Sequence, residues 1–217
     1  MEFFDLLLFG ATRNTGFLIA RQAAARGEKV AALVRGANTS KLESLGVRIV
    51  QGDAFNANDC ARAISETAPR RVVSTLGGKD REGRRVDAEG NIKVIAASER
   101  HPNIKRFVLV TSIGSGEQFD GISENARKFL GDALRAKTQA EEALRKSRLP
   151  WTIVRPCGLS DAAPTGDYAL LDAPDPRYGN ALSRADVAAA VLEVLDDPRW
   201  IGRAVTLQKR FAETPET

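Results

Sequence analysis

An apolar run, Phe3-Phe4-Asp5-Leu6-Leu7-Leu8-Phe9, passes without a break into Gly10-Ala11-Thr12-Arg13-Asn14-Thr15-Gly16 and then into the helix-patterned stretch from Phe17 to Arg26. A buried strand, a glycine-bounded turn and a helix N-terminus in that order form the arrangement that holds a dinucleotide pyrophosphate. The pyrophosphate must approach backbone to van der Waals distance, where a Cβ obstructs, and its charge is met by the N–H groups that a helix leaves unpaired in its first turn. Gly10 and Gly16 meet that need, with Thr12, Arg13, Asn14 and Thr15 between them. The spacing departs from G-x-G-x-x-G, and Arg13 stands where related loops usually carry a third glycine.

The second strand selects the nucleotide. After a helix stop at Gly27, residues Glu28 to Arg35 read as a strand whose end would present Asp or Glu to the ribose 2'-hydroxyl in an NAD-selective site. Arg35 occupies that place. A carboxylate repels the 2'-phosphate of NADP, whereas a guanidinium grips it with two charge-assisted hydrogen bonds. The expected cofactor is therefore NADP(H). Arg13 and Lys41 either add positive charge to the same phosphate or are solvated surface charges.

With 217 residues, 43% of them hydrophobic, and no Gly/Ser/Pro-rich linker, the chain suits one domain spanning 1–212 with a frayed tail at 213–217. No stretch approaches the ~20 apolar residues of a membrane span, and the start lacks a signal peptide's basic n-region, so a soluble, cytoplasmic protein is expected. Two cysteines, Cys60 and Cys157, make no disulfide framework, and one histidine leaves no metal site to expect. The net charge of +4 comes from basic residues dispersed among acidic ones, with aromatics at only 6%, which argues against a nucleic-acid partner.

Beyond the first unit, strands are expected at 47–51, 71–75, 106–111 and 151–155, and helices at 57–67, 84–100, 123–147 and 184–195. A short strand fits 168–171, and a last one, 204–207, is expected at the sheet edge. The pattern is α/β: a Rossmann-like, doubly wound parallel sheet with right-handed crossovers and a short C-terminal substrate-loop region. In such sheets the ligand lies over the carboxyl ends of the strands.

Three loops at those ends are informative. Gly52-Asp53-Ala54 offers a carboxylate to an adenine amino group, or Asp53 simply forms the turn. Ser74-Thr75-Leu76-Gly77-Gly78 supplies small residues past which a cofactor could run, or is an ordinary loop. Val110-Thr111-Ser112-Ile113-Gly114-Ser115-Gly116 puts hydroxyls near the expected nicotinamide, unless Ser112 is a strand cap.

Taken with Lys137 and Glu141, the run Trp151-Thr152-Ile153-Val154-Arg155-Pro156 and the segment Ser183-Arg184-Ala185-Asp186-Val187-Ala188, these motifs resemble the atypical short-chain dehydrogenase/reductases over nearly the whole chain. More narrowly they resemble the NmrA-like NAD(P)-binding group that includes the biliverdin reductase B, or flavin reductase, proteins. The resemblance implies a cofactor site along the first turn, Arg35 and Asp53, flanked by Thr75 and Gly77. It also implies Ser112 beside the nicotinamide, Lys137 near its ribose, and Pro156, Cys157 and the residues to Leu159 on the far side. Cys157 reads either as a packing residue or as a redox thiol.

Departures from the family pattern narrow the chemistry. Short-chain dehydrogenases use a Tyr four residues before the Lys as general acid/base, and that position here is Ala133; the His of biliverdin reductase B-like members corresponds to Gly158. Hydride transfer to a simple ketone builds alkoxide charge that needs a nearby proton, whereas a flavin, bilin or quinone delocalises the electrons and takes its proton from water. The expected activity is an NADPH-dependent reductase acting on such a planar acceptor, with Ser112 and Lys137 as catalytic candidates. The substrate-side loops are expected at about 113–125 and 157–182. The rival expectation is a non-catalytic NADP(H)-binding sensor or assembly factor of the NmrA-like type. A monomer is slightly preferred as the oligomeric state.

Overall fold

The computed structural model describes residues 3–175 and 181–210. Leu6–Phe9 form β1, buried at every position, and Val30–Val34 form β2, buried likewise. Such uninterrupted apolar strands need cover on both faces, which parallel sheets obtain from crossover helices. Between them runs α1 (Asn14–Ala25), and the chain continues through α2 (Ser40–Glu43), β3 (Arg48–Gln51), α3 (Ala57–Thr67), β4 (Arg71–Ser74), α4 (Glu89–Glu99) and β5 (Arg106–Val110). A 3-10 turn, Gly116–Gly121, then precedes α5 (Glu124–Lys146), β6 (Trp151–Pro156), β7 (Leu159–Ser160), β8 (Tyr168–Leu171), β9 (Leu182–Ser183), α6 (Arg184–Asp196) and β10 (Arg203–Lys209).

The main sheet has the order β3-β2-β1-β4-β5-β6-β10-β8, parallel throughout except for the β10–β8 pair. Two apolar layers enclose it. Ile19 and Ala23 of α1 pack with Val187, Val191 and Val194 of α6 on one face, and Ile64 of α3, Val94 of α4 and Leu144 of α5 pack on the other. This is the Rossmann-like α/β architecture expected from the alternating pattern. Strand order reverses between β1 and β4, so their carboxyl ends open a crevice there.

Several elements differ from the sequence expectation, among them the short helix α2, which it does not include. The last strand lies inside the sheet between β6 and β8, not at its edge, because β8 supplies an antiparallel neighbour with Leu207 opposite Leu170. The helix expected from Arg84 begins at Glu89, because Lys79 and Arg85 bridge across a turn in which Asp80 accepts from the Arg84 backbone N–H. The short β7–β9 pair, Leu159 opposite Leu182, was not read at all. The tail at 213–217, and part of the loop at 157–182, lie outside the described residues.

Capping explains where α5 and α6 start. Ser123 and Ser183 each accept a hydrogen bond from the backbone N–H three residues on. Asp186 then clasps the loop between β7 and β8 to α6, its carboxylate accepting from the backbone N–H groups of Thr165 and Gly166 at 3.0 and 2.9 Å.

Candidate functional site

The β1–α1 turn is built on close backbone approach. Gly10 has φ +92, and a Cβ on it would lie 2.7 Å from Thr75 Oγ1; a Cβ on Gly16 would overlap the Gly10 carbonyl oxygen. Thr75 Oγ1 donates to that same carbonyl at 3.2 Å, tying the end of β4 to the turn. Asn14 opens α1 at φ 51, a left-handed conformation that Asn tolerates better than most residues. The N-cap residue, Arg13, makes no side-chain cap, and the first turn holds no acidic residue. The N–H groups and positive dipole end of α1 therefore face the crevice uncompensated by a side chain, as an anion site requires.

That crevice is a cleft of about 640 Å³. It brings together Gly10, Thr12, Arg13, Asn14, Thr15, Gly16, Arg35, Asp53, Ala54, Thr75, Leu76, Gly77, Thr111 and Lys137, as the sequence reading grouped them. Residues not foreseen there include Phe55 and Arg184. A lone aromatic directly after Gly52-Asp53-Ala54 was the available signal for Phe55, whose ring lies 4.7 Å from the Arg84 guanidinium. Lys41 is exposed on α2 and does not line the cleft, in keeping with a solvated charge.

At the β2–β3 end, Arg35 Nη1 lies 3.7 Å from Asp53 Oδ2, with two-thirds of the Arg35 side chain exposed. Asp53 also forms the turn, its Oδ1 accepting from Phe55 N at 2.9 Å. Its backbone N–H donates to Asp59 Oδ2 at 2.9 Å, and that bond, with the Arg62 partner, holds the Asp59 carboxyl below its ordinary range.

At the β5–β6 end the polar groups are tied down. Thr111 Oγ1 donates to Glu141 Oε1 at 2.7 Å, and Arg155 donates to Glu141 through Nε at 3.0 Å. Arg155 also forks onto Glu117 at 2.6 and 2.9 Å, and these bonds pull the Glu117 carboxyl from 4.5 down to about 2. Arg155 and Glu141 are both 1% exposed, so a charge cluster lies within the protein beneath the 3-10 turn at 116–121. Lys137 Nζ lies 2.9 Å from Asp87 Oδ1, a partner that the sequence reading missed.

Three of the expected site residues do not line the cleft. Ser112 follows Thr111 just past β5 and is half-buried. Pro156 ends β6 in the core, and Cys157 sits behind it, its backbone N–H donating to Leu207 O while burial pushes its thiol up. Of that segment, Leu159 reaches the cleft. Among the described residues no Tyr or His lines the cleft: Tyr168 lies on edge strand β8 with its hydroxyl donating to Glu193, and His101 precedes the amino end of β5, away from the carboxyl ends that open the cleft; Tyr178 lies outside the described residues. Among the described residues, no helix is long and apolar enough to cross a membrane, and no cluster of His, Cys, Asp and Glu is placed to hold a metal ion.

Comparison with known proteins agrees with this geometry. The model of an NAD(P)H-binding family matches residues 10–198. A solved Escherichia coli structure described as ChuY, an anaerobilin reductase, is 32% identical with a TM-score of 0.86, the match covering 97% of this chain and 99% of that one. The Arabidopsis thaliana chloroplastic protein At2g34460, itself uncharacterised, is 32% identical over 95% of this chain and 77% of its own length. Ycf39 of Cyanophora paradoxa, a photosystem II assembly factor, is 25% identical over 94% of this chain and 60% of its own length.

Proposed function

We propose, for a chain that belongs to the NAD(P)H-binding family, that it is an NADPH-dependent reductase passing hydride to a flat conjugated acceptor such as a flavin, bilin or quinone. The observation that carries this reading is the make-up of the cleft: a cation at the β2 end, a bare helix N-terminus in the middle, and Lys137 with Thr111 at the β5 end, with no Tyr or His side chain along it among the described residues. Similarity to an anaerobilin reductase over nearly the full length of both chains supports the acceptor class.

In this reading the cleft fits the dinucleotide because its glycines clear the backbone and the N–H groups of α1 meet the pyrophosphate. Arg35 takes the 2'-phosphate, exchanging its long, exposed contact with Asp53 for a forked one. Bound NADPH supplies the hydride. Lys137 donates to the nicotinamide ribose, and Ser112, whose neighbour Thr111 is committed to Glu141, orients the ring or the acceptor. Among the described residues no Tyr or His at the cleft offers a proton in place of Ala133, so a delocalised acceptor that collects its proton from water suits the site best. Orientation and proximity then account for most of the rate.

The second reading, a nucleotide-binding assembly or regulatory factor without turnover, draws on the likeness to Ycf39 and on the same missing acid. The test is NADPH oxidation by the purified protein against FMN, FAD, riboflavin, biliverdin and a soluble quinone, with NADH in parallel. Saturable, NADPH-preferring turnover supports the reductase; tight NADPH binding with no turnover on any acceptor supports the second reading.

A further inference from the structure

Asp87 is 1% exposed and lies just before α4, where three separated segments meet. Its Oδ1 is 2.9 Å from Lys137 Nζ on α5, and its Oδ2 accepts from the Gly78 backbone N–H, in the loop after β4, at 2.8 Å. Arg85 Nη1 stands 3.5 Å from Oδ2. The Asp87 carbonyl accepts from Asn91 Nδ2 at 2.8 Å, and Asn91 Oδ1 accepts from Ser74 Oγ at 2.5 Å, so the backbone that carries the carboxylate is itself fixed to β4.

A buried carboxylate is costly unless it is paired and hydrogen-bonded, and here the pairing partner is a residue of the cleft. Lysine has a flexible four-carbon stem and three rotatable donors, so a free Lys137 would sample many positions. Tethered through one contact, the ammonium has a fixed place and N–H bonds left to give. Gly77 stands over the pair: a Cβ there would lie 3.2 Å from Asp87 Oδ1 and 3.4 Å from Lys137 Nζ. Glycine keeps the ammonium uncovered on the side of the loop that lines the cleft.

We propose that Asp87 is a positioning residue for the dinucleotide: it holds the Lys137 ammonium at the nicotinamide-ribose end of the cleft and, through Gly78, sets the loop that passes beside it. This rests on the reading of the cleft as an NADPH site. Asp87 touches no ligand and acts only through Lys137 and the loop.

The experiment measures affinity for NADPH and for adenosine 2',5'-bisphosphate, which carries the 2'-phosphate but no nicotinamide ribose, in the full chain and in Asp87→Asn, Lys137→Met and the double variant. Asn keeps an oxygen for the Gly78 N–H and removes the charge that holds the ammonium. Asp87→Asn and Lys137→Met should each weaken NADPH about tenfold, the double variant no further, and adenosine 2',5'-bisphosphate should bind all four alike. Asp87→Asn weakening NADPH equally when Lys137 is already Met would overturn the proposal, as would parallel loss of adenosine 2',5'-bisphosphate, which marks general loosening. No effect of Asp87→Asn beside a clear effect of Lys137→Met overturns the role of Asp87 and leaves the site reading standing. No effect of Lys137→Met overturns the ribose contact itself. Asp87→Ser repeats the test with a smaller side chain if Asp87→Asn does not fold, and failure of both to fold would assign the carboxylate to stability instead.

Discussion

Gly16 sits so close to Gly10 that a methyl group on the first would overlap the carbonyl oxygen of the second. This packs the first turn of α1 directly onto the end of β1. Gly16→Ala must push the helix off the turn, which overpacking data put at about 1–3 kcal/mol. Thermal melting with and without NADPH should show a lowered Tm and a diminished upward shift by the nucleotide. An unchanged ligand-induced shift would mean that the turn does not hold the pyrophosphate.

Arg35→Asp replaces attraction by repulsion where the 2'-phosphate is expected. Losing a forked charge-assisted contact is worth about 2–3 kcal/mol, so NADPH affinity should fall on the order of 100-fold while NADH changes little. Titration of both nucleotides checks this, and equal losses would remove Arg35 from the phosphate site.

If Ser112 orients the ring or the acceptor as proposed, Ser112→Ala should reduce turnover roughly tenfold with NADPH affinity retained, the loss of one hydrogen bond of about 1.4 kcal/mol. Comparison of kcat with directly measured NADPH affinity separates the two. A fall in affinity with kcat unchanged would make Ser112 a cofactor ligand only.

Glu141→Leu leaves Arg155 half-paired in the core and strips Thr111 of its acceptor. Breaking such a buried pair costs about 3 kcal/mol or more, a Tm fall of roughly 6–12 °C for a chain of this size. Removing Glu117, the exposed and solvent-screened partner of the same guanidinium, should cost less, about 1 kcal/mol.

Acid should weaken the fold partly through Glu117. Its hydrogen bonds from Arg155 lower its carboxyl from 4.5 to about 2, so their contribution is complete above about pH 4.5 and is lost as pH falls toward 2. Melting curves from pH 6 to pH 2.5 should therefore converge for the native protein and Glu117→Gln as acid is added. Curves that stay parallel would show that the Arg155 contact does not persist in solution.

The strand–turn–helix opening, the alternation that follows and the cation at the end of the second strand were legible because each is a local pattern. Burial of Leu6–Phe9 and of Val30–Val34, the glycines at 10 and 16, and the placing of Arg35 need no knowledge of distant residues. Strand order was less accessible: β10 looked terminal, and β8, half-buried and short, took the edge instead. The charged contacts were hidden altogether. Glu141 and Arg155 belong to the motifs that carry the resemblance and Asp87 resembles the charges around it, but nothing in the sequence names their partners: Asp87 meets Lys137, and the other two form an ion pair within the core. Ser112, Pro156 and Cys157 sit at the strand ends where the sequence places them, yet they do not line the cleft, because burial of each is set by the neighbouring strands and loops. Hydrophobic periodicity is written within each element, whereas the partner of a buried charge is set by which elements lie side by side, and that is decided only when the sheet assembles.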